Sequence, residues 1–443
     1  MNQDSHTTPV DLMIHARWII PVVPTNTVLR DCSLVIHNGK IVALSPSADA
    51  KRRYAAEREY QLDNHIITPG LVNAHNHAAM SLLRGFADDH PLQTWLGDHI
   101  WPAEAQWVTP EFVRDGSELS AAEMIRSGTT TFSDMYFFPE EVAKVALHSG
   151  MRCQLSFPVF DFPTAWGQGP DEYIQKGLAL HDDYRSHPTV NIAFGPHAPY
   201  TVSDEPLQRI ATLAAEMQSP IQIHLHETAA EVEDAVAASG ERPIERLHRL
   251  GLLTPLTQCV HMTQVSAEDT ELLKLSGAHV VHCPESNLKL ASGFCPVKSL
   301  LDHDINVALG TDGAASNNDQ DLFGEMRTAA LLAKGVSGDA KAVDAHTALR
   351  MATLNGAKAL GLESEIGSLE VGKQADITAV ALNQLEQLPL YHPVSALSYS
   401  NISQQVSHVW VNGHTLLEDR RLTTLDENHI RHKIHLWQTR IGA

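Results

Sequence analysis

Histidines and carboxylates stand in this chain at spacings that suit metal binding. The chain has 26 histidines, and in NAHNH, at the end of an apolar run, His75 and His77 are separated by a single residue. Residues two apart on a strand point to the same face, so these two imidazoles can reach one ion. One such pair is weak evidence, because two ordinary histidines in a loop produce the same pattern. A metal site is predicted only if other parts of the chain supply further ligands.

Further candidates end later apolar runs. His224 ends one run in HLHE, and Glu227 follows it by three positions, where it would lie beside the ligand as a proton carrier. Asp312 follows INVALGT without a basic partner nearby in sequence, which favours a bound cation, although Asp at such a place also caps helices. Two other runs end in His261 and His197. Each of these alone also fits a buried structural histidine.

Eight short apolar runs, alternating with amphipathic stretches, would position these residues. The runs are 66–75, 129–135, 151–159, 190–197, 220–227, 258–262, 279–283 and 305–312. Eight strand–helix alternations over roughly 300 residues are what a parallel (β/α)8 barrel requires. A doubly wound sheet also alternates, but no Gly-rich phosphate turn follows the first strand. We therefore predict an α/β fold, a TIM-type barrel whose C-terminal mouth gathers the metal-binding candidates around one point.

The two ends of the chain have a different, β-rich character. Asn38-Gly39 and Asn412-Gly413 each lie between apolar runs, which is a strong signal for a β-hairpin. A chain of 443 residues is also too long for one ordinary core. We therefore predict a small β-sandwich domain built from both termini, residues 1–66 and 370–443, beside a catalytic barrel at residues 67–369.

Composition argues against several classes of function. Acidic residues outnumber basic ones, 53 against 32, and the formal net charge of -21 disfavours nucleic acid as a partner. No run of about 18 apolar residues predicts a membrane span, and no secretory signal is recognised at the N-terminus. The five cysteines form no C-x-x-C pair, which indicates reduced thiols in a cytoplasmic enzyme rather than a cysteine-rich zinc site.

These motifs together resemble the amidohydrolase superfamily, and within it the 5-methylthioadenosine/S-adenosylhomocysteine deaminases. The resemblance covers nearly the whole chain. It rests on the stretches PGLVNAHNHAAMSLLRG, IWPAE at 100–104, GPHAPYT, HLHET, VHM, HCPESNLKLASG, TDGAASNN and ATLNGAKALGLESEIGSLEVGKQADI. Guanine deaminases and triazine hydrolases share much of this framework, so another amidohydrolase on the same scaffold stays an alternative.

The resemblance implies an aminohydrolase that removes the 6-amino group of an adenine nucleoside: 5′-methylthioadenosine, S-adenosylhomocysteine or adenosine. One divalent metal would be bound by His75, His77, His224 and Asp312. Zinc suits three imidazoles and a carboxylate, and iron and manganese also accept them. The metal would lower the pKa of its water towards ~7, and Asp312 would accept that water's proton. Glu227 would protonate the ring nitrogen, and His261 would hydrogen-bond the attacking oxygen.

The resemblance also implies substrate contacts and partners. Glu104 would accept hydrogen bonds from the ribose hydroxyls and His197 would contact the nucleoside, while Glu227 and Asp312 would face the reacting ring. The expected partner is a small purine nucleoside, and the enzyme is expected to be a homo-oligomer. One departure concerns the arginines that the family often carries after the third strand. Here Arg152 lies early in that strand, and SFPVFDFPTAWGQG beyond it has none, so a homocysteine tail would lack this partner.

Two other classes of function fit the sequence less well. A non-catalytic protein on a degenerate barrel would lack ligands or proton carriers, whereas all the expected ones are present. A cytidine-type zinc deaminase needs a P-C-x-x-C ligand pair, which the sequence does not contain. His226, between His224 and Glu227, is not expected to be a ligand.

Overall fold

The strands of the chain form two eight-stranded sheets in the computed structural model, which describes residues 7–442. The strands are β1 (Thr8–Ile19), β2 (Leu29–His37), β3 (Lys40–Pro46), β4 (Tyr54–Pro69), β5 (Leu71–Asn76), β6 (Thr129–Asp134), β7 (Arg152–Val159), β8 (Val190–Pro196), β9 (Ile221–Leu225), β10 (Thr257–His261), β11 (His279–His282), β12 (Val307–Leu309), β13 (Ile377–Ala381), β14 (Val406–Val411), β15 (His414–Glu418) and β16 (Arg421–Leu422).

Helices connect and cover these strands. They are α1 (Ser47–Arg53), α2 (Leu92–Thr94), α3 (Trp101–Trp107), α4 (Pro110–Arg126), α5 (Pro139–Ser149), α6 (Pro170–Tyr184), α7 (Asp204–Met217), α8 (Ala229–Ser239), α9 (Pro243–Arg249), α10 (Ala267–Ser276), α11 (Pro284–Lys289), α12 (Val297–Asp302), α13 (Ala314–Asn317), α14 (Leu322–Ser337), α15 (Ala345–Met351), α16 (Leu354–Ala359), α17 (Pro393–Tyr399) and α18 (Glu427–Ile441). A π-helix, Trp95–Ile100, joins α2 to α3, and short 3₁₀ turns occur at Ala78–Leu83, Leu385–Gln387 and Ser403–Gln405. Between residues 7 and 442, no helix has the length and apolar character that crossing a bilayer demands.

Strands β5 to β12 lie side by side in chain order, each parallel to the next. The ends of this sheet approach each other where the Asp312 backbone N–H donates to the His75 carbonyl at 3.1 Å. The predicted (β/α)8 barrel is confirmed.

The first apolar run is divided, since its residues up to Pro69 belong to β4 and β5 begins at Leu71. Gly70 makes this transition, and a Cβ there would lie 2.1 Å from the Thr130 hydroxyl oxygen, so only glycine fits.

The second sheet takes strands from both ends of the chain, in the order β16-β15-β14-β13-β4-β1-β2-β3. The predicted small β domain from both termini is thus confirmed, and its strands form one hydrogen-bonded sheet. Both predicted hairpins are present, with Asn38-Gly39 at φ of 50° and 74° and Asn412-Gly413 at 49° and 74°. These left-handed values are the ones that a two-residue turn of the Asn-Gly type requires. The division of the chain at residues 66 and 370 stays a proposal.

The C-terminal segment also contains helices, which the β-rich interpretation of residues 370–443 did not include. Helix α18 lies against barrel helix α4, where the Trp437 indole donates to Asp115 at 3.0 Å and Lys433 pairs with Asp115 and Glu118. Its apolar residues recur every three or four positions, at Ile430, Ile434, Trp437 and Ile441. That stripe is typical of an amphipathic helix and would have predicted α18.

Candidate active site

The four predicted metal ligands converge at the C-terminal mouth of the barrel. His75 is on β5, His77 follows it, His224 is on β9 and Asp312 follows β12. The Nε2 atoms of His75 and His224 are 3.2 Å apart, and Asp312 Oδ1 lies 3.2 Å from His77 Nε2 and 3.6 Å from His75 Nε2. His261, at the end of β10, completes a second close group with His75 and His224. The structure therefore brings together residues that are up to 237 positions apart in the chain, His75 and Asp312.

Each of these histidines faces an oxygen acceptor with its Nδ1 atom. The acceptors are the Gln222 amide oxygen for His75 (2.8 Å), the Met135 carbonyl for His77 (2.5 Å), the His197 carbonyl for His224 (2.7 Å) and the Asn287 amide oxygen for His261 (2.9 Å). In a neutral imidazole, an oxygen acceptor at Nδ1 places the proton there and leaves the Nε2 lone pair free. All four Nε2 atoms thus face one point, where neutral rings can act as ligands or acceptors.

This arrangement fits a divalent cation. The Nε2 lone pairs of His75 and His224 face each other in a buried place, which is unfavourable unless a positive charge lies between them. Asp312 Oδ2 accepts hydrogen bonds from the Ser286 and Ser316 hydroxyls at 2.6 and 3.1 Å, so that Oδ1 is turned to the histidines. Imidazole nitrogens with one carboxylate are a donor set that zinc prefers.

The charges of these ligands are set by burial and by one another. Burial alone would raise the pKa of Asp312, but its contacts with His75 and His77 hold that pKa well below its usual range. Burial lowers the pKa of His75 to about 4 and that of His224 well below its usual value, so both are neutral near pH 7. At His77 burial also lowers the pKa, but the hydrogen bond and the charge of Asp312 outweigh it and raise the pKa to about 9. The anionic Asp312 thus attracts positive charge to this point.

Glu227 lies beside the cluster, just beyond β9, with a carboxyl group that is protonated near neutral pH. Burial, and then the charge of Asp312, raise its pKa to about 8 against a smaller lowering by His77. Its Oε2 is 3.7 Å from His261 Nε2. A neutral carboxylic acid can donate a proton, whereas the ionised Asp312 can only accept one. Two carboxyl groups in different environments can therefore divide acid and base functions.

The turn that holds Glu227 is braced by its neighbours. The Glu231 carboxylate accepts the backbone N–H groups of His226 and Glu227 at 3.0 and 2.7 Å. His226 has a left-handed φ of 52° and uses both ring nitrogens, facing the Gln264 carbonyl with Nδ1 and the Ile244 N–H with Nε2. His226 therefore has no nitrogen free for a metal.

A cavity of about 490 Å³ opens directly in front of this cluster. The two predicted substrate contacts, Glu104 on α3 and His197 after β8, both line it. Burial raises the pKa of Glu104 to about 7, while the Tyr136 hydroxyl donates to its carboxylate at 2.6 Å. Arg152 does not line the cavity. Its guanidinium donates to the side chains of Asp376 and Asn412 and to the Pro188 carbonyl.

The outer wall of the cavity is aromatic. The His197 ring stacks on Phe160 with centroids 4.7 Å apart, Phe160 contacts Phe162 at 5.0 Å, and Phe162 meets Trp101 at 6.3 Å. Phe160 is buried, whereas Phe162 and Trp101 are partly exposed at the rim. Within residues 7–442, no lysine or arginine lines the cavity. The space beyond Glu104 therefore suits an apolar group better than an anionic one.

The residues that orient the ligands were not among those predicted from the sequence. Gln222 lies two positions before His224 on the same face of β9, so strand alternation could have indicated that it also points inward. Asn287 and Ser286 come from the short helix α11, and Tyr136 from the loop after β6. No spacing in the sequence links these three residues to His261, Asp312 and Glu104, because the contacts depend on how separate loops meet.

Known proteins resemble this chain in both sequence and structure. Residues 66–416 match the family model described as the amidohydrolase family. A protein of Teredinibacter turnerae named 5-methylthioadenosine/S-adenosylhomocysteine deaminase is 56% identical over 439 residues, covering 99% of each chain. A protein of Saccharophagus degradans with the same name is also 56% identical, over 99% of this chain and 98% of its own. The crystal structure of an adenosine deaminase from Xanthomonas campestris with bound zinc has a TM-score of 0.97, with 48% identity over 98% of this chain and 99% of that one.

Proposed function

Because this chain belongs to the amidohydrolase family, we propose that it is a metal-dependent aminohydrolase that removes the 6-amino group of an adenine nucleoside. The observation that carries the proposal is the convergence of His75, His224 and Asp312 beside Glu227, a carboxyl group whose pKa is raised to about 8. The names of the relatives, which are deaminases of adenine nucleosides, support this substrate class. The inosine-type product and ammonia would leave the site.

The proposed cofactor is one zinc ion held by His75, His77, His224 and Asp312. The zinc bound in the related adenosine deaminase structure supports this metal. When bound, a divalent metal at this place supplies a Lewis acid that lowers the pKa of water towards ~7. The side chains around it would do the remaining work.

In the proposed mechanism, three side chains handle the protons. Protonated Glu227 donates to the ring nitrogen next to C6, which makes C6 electrophilic. Ionised Asp312 takes a proton from the attacking water and passes it to the departing amino group. His261, held by Asn287, hydrogen-bonds the attacking oxygen. The C6–O bond forms, the C6–N bond breaks, and ammonia leaves with the proton that Asp312 carried. The proton left on the C6 oxygen goes to the Glu227 carboxylate, which gives the C6 carbonyl of the product and restores the acid.

The ribose would be bound on the side of the cavity away from the histidine cluster. We assign Glu104 to the ribose hydroxyls, because its carboxylate lines the cavity and can accept two hydrogen bonds from a diol. His197 would contact the nucleoside through Nε2, because its Nδ1 lies 3.1 Å from the Thr201 hydroxyl oxygen. Tyr136 keeps the Glu104 carboxylate in place.

The 5′ group would extend towards the aromatic wall at Phe160, Phe162 and Trp101. A thioether is apolar and polarisable, and sulfur makes favourable contacts with aromatic ring edges. The charged ends of a homocysteine tail would find no lysine or arginine among the described residues of the cavity. We therefore propose that the enzyme uses methylthioadenosine better than S-adenosylhomocysteine.

The location of the enzyme and its oligomeric state belong to the proposal as well. All five cysteines are buried and unpaired, as expected for a reducing cytoplasm. That the enzyme forms a homo-oligomer stays a prediction. Gel filtration with light scattering measures its oligomeric state.

The experiment that tests the proposed function is a substrate panel with the zinc-loaded enzyme. Ammonia release is followed with methylthioadenosine, adenosine, S-adenosylhomocysteine, adenosine monophosphate and guanine, and chloride release with a chlorotriazine. We expect turnover of the adenine nucleosides without a need for phosphate. Activity on guanine or the triazine alone would contradict the proposal, as would a marked preference for the monophosphate.

A further inference from the structure

The loop that carries His197 and Tyr200 is fastened to a helix that belongs to a different part of the barrel. This loop, residues 197–203, joins β8 to α7 and lines the cavity through both side chains. Arg246, on α9, donates to two carbonyls of the loop, from Nη1 to Pro199 at 2.5 Å and from Nη2 to Val202 at 2.9 Å. Its Nε donates to Asp204, the first residue of α7, at 2.7 Å.

These hydrogen bonds support the outer half of the loop together with Asp161, whose backbone N–H donates to the Thr201 carbonyl at 3.0 Å and whose carboxylate accepts the Ser203 N–H at 2.8 Å. Pro199 and Val202 are buried, and their carbonyls have no other hydrogen-bond partner among residues 7–442. The two carbonyls flank Tyr200 and Thr201, so the guanidinium fixes both residues from outside the cavity. Leaving two buried carbonyls without a donor would be costly, and the loop would move to find other partners.

The inner end of the loop has separate support. The His197 backbone N–H donates to the Val159 carbonyl, and the His197 carbonyl accepts the backbone N–H of His224, so both bonds tie it to neighbouring strands. The His224 ring also faces this carbonyl with Nδ1. Movement of the loop beyond Ala198 should therefore not displace the histidine cluster.

Movement of the outer half of the loop would instead displace Tyr200 and the ring of His197, which face the cavity. The Thr201 hydroxyl donates to the Ala198 carbonyl and lies 3.1 Å from His197 Nδ1, so it sets the orientation of the His197 ring. Tyr200 is close to Glu227, whose charge contributes, after burial, to the raised pKa of the tyrosine. Neither effect involves a contact between Arg246 and the cavity.

We propose that Arg246 is a positioning residue for nucleoside binding, which acts through the Pro199 and Val202 carbonyls on Tyr200 and on the ring of His197. This inference rests on the proposed function, because it assigns the nucleoside to the cavity side of this loop. Arg246 would leave the rate of the chemical step largely unchanged and control the affinity for the nucleoside.

The test compares Arg246→Gln with Arg249→Gln in the zinc-loaded full chain. Arg249 is the matched control, since it lies one turn further on the same helix and binds Asp204 and Glu241 but no carbonyl of the loop. For Arg246→Gln we expect KM for methylthioadenosine to rise about tenfold with kcat and zinc content close to wild type. Arg249→Gln should leave KM unchanged, and Arg246→Lys, which keeps one charged donor group, should recover part of the loss.

A double-mutant cycle separates positioning from general destabilisation. If Arg246 acts through the loop, adding Arg246→Gln to a His197→Ala, Tyr200→Ala background should raise KM much less than it does in the wild type. An unchanged KM in Arg246→Gln, a fall of kcat or zinc content at constant KM, or full additivity in the cycle would each overturn the inference. Failure of the proposed function would look different, because the wild-type enzyme itself would release no ammonia from adenine nucleosides.

Discussion

The proposed metal side and the proposed nucleoside side of the cavity are built in different ways. On the metal side, His75, His224 and His261 lie on barrel strands, and each ring is fixed by an oxygen acceptor. On the nucleoside side, Glu104 comes from a short helix, and His197 from a loop that a remote arginine fastens. Strand-borne groups are held more rigidly than loop-borne ones. Substitutions on the first side should therefore remove the chemistry, and those on the second should change affinity and substrate choice.

The largest effect is expected from removing a strand-borne ligand. His224→Ala should abolish zinc binding and activity together, because a lost ligand opens the coordination shell. Elemental analysis and turnover are measured on the same sample. The control is His226→Gln, which removes a neighbouring imidazole that has no nitrogen free for metal and should keep its zinc. A His224→Ala enzyme with full zinc content and full activity would remove His224 from the site.

Removing the proposed acid should leave the metal in place and stop the chemistry. Glu227→Gln is nearly isosteric but cannot deliver a proton, so kcat should fall by roughly 10²–10⁴-fold with little change in zinc content. Asp312→Asn should lose zinc as well as turnover, because Asp312 also faces the histidines. Near-normal kcat in zinc-loaded Glu227→Gln would show that another group, such as His261, is the acid.

The nucleoside side is tested by Glu104→Gln. An amide accepts hydrogen bonds from ribose hydroxyls more weakly than a carboxylate, so KM for adenosine should rise about 10–100-fold while kcat changes little. The same substitution should matter much less for 2′,3′-dideoxyadenosine, which lacks both hydroxyls. Glu111→Gln, at an exposed position of α4, serves as the control. A kcat loss with unchanged KM would place Glu104 in the chemistry and weaken the distinction between the two sides.

The pH dependence reports on the acid of the metal side. As the proposed acid, Glu227 would act when its carboxyl is protonated, and burial raises its pKa to about 8, above the usual range for Glu. Activity should therefore be retained below pH 8 and fall about tenfold per pH unit above it. The measurement is kcat/KM for methylthioadenosine between pH 6 and pH 10. A profile that stays flat to pH 10 would contradict the assignment.

The smallest effect is expected at the 5′ group, where only the aromatic wall is involved. Methylthioadenosine should exceed S-adenosylhomocysteine in kcat/KM by about tenfold, since the charged tail lacks a cationic partner. Phe162→Arg should narrow this ratio, and Tyr391→Arg, at an exposed aromatic outside the cavity, should not. Equal use of both substrates by the wild type would mean that the tail finds polar partners elsewhere.

The residues of the proposed metal side could be predicted from the sequence, whereas the contacts that support the other side could not, and the reasons are physical. The barrel, its eight strands and the run ends that bear His75, His224 and Asp312 followed from periodicity, because strand ends of a parallel barrel must meet. The inward orientation of Gln222 could have been predicted in the same way. The contacts of Arg246 with the 197–203 loop could not, because they depend on the distance between segments that are separate in sequence. Helix α18 is different, because the apolar stripe of Ile430, Ile434, Trp437 and Ile441 is itself a helical pattern in the sequence.

We propose that a single metal site and one carboxylic acid, Glu227, carry out the deamination. The most direct measurement is a zinc titration of metal-depleted enzyme, with ammonia release from methylthioadenosine followed for the wild type and Glu227→Gln. We expect wild-type activity to rise linearly and to stop at about one zinc per chain, while Glu227→Gln binds the same zinc and stays nearly inactive. Ammonia release without zinc, or a fully active zinc-loaded Glu227→Gln, would contradict it.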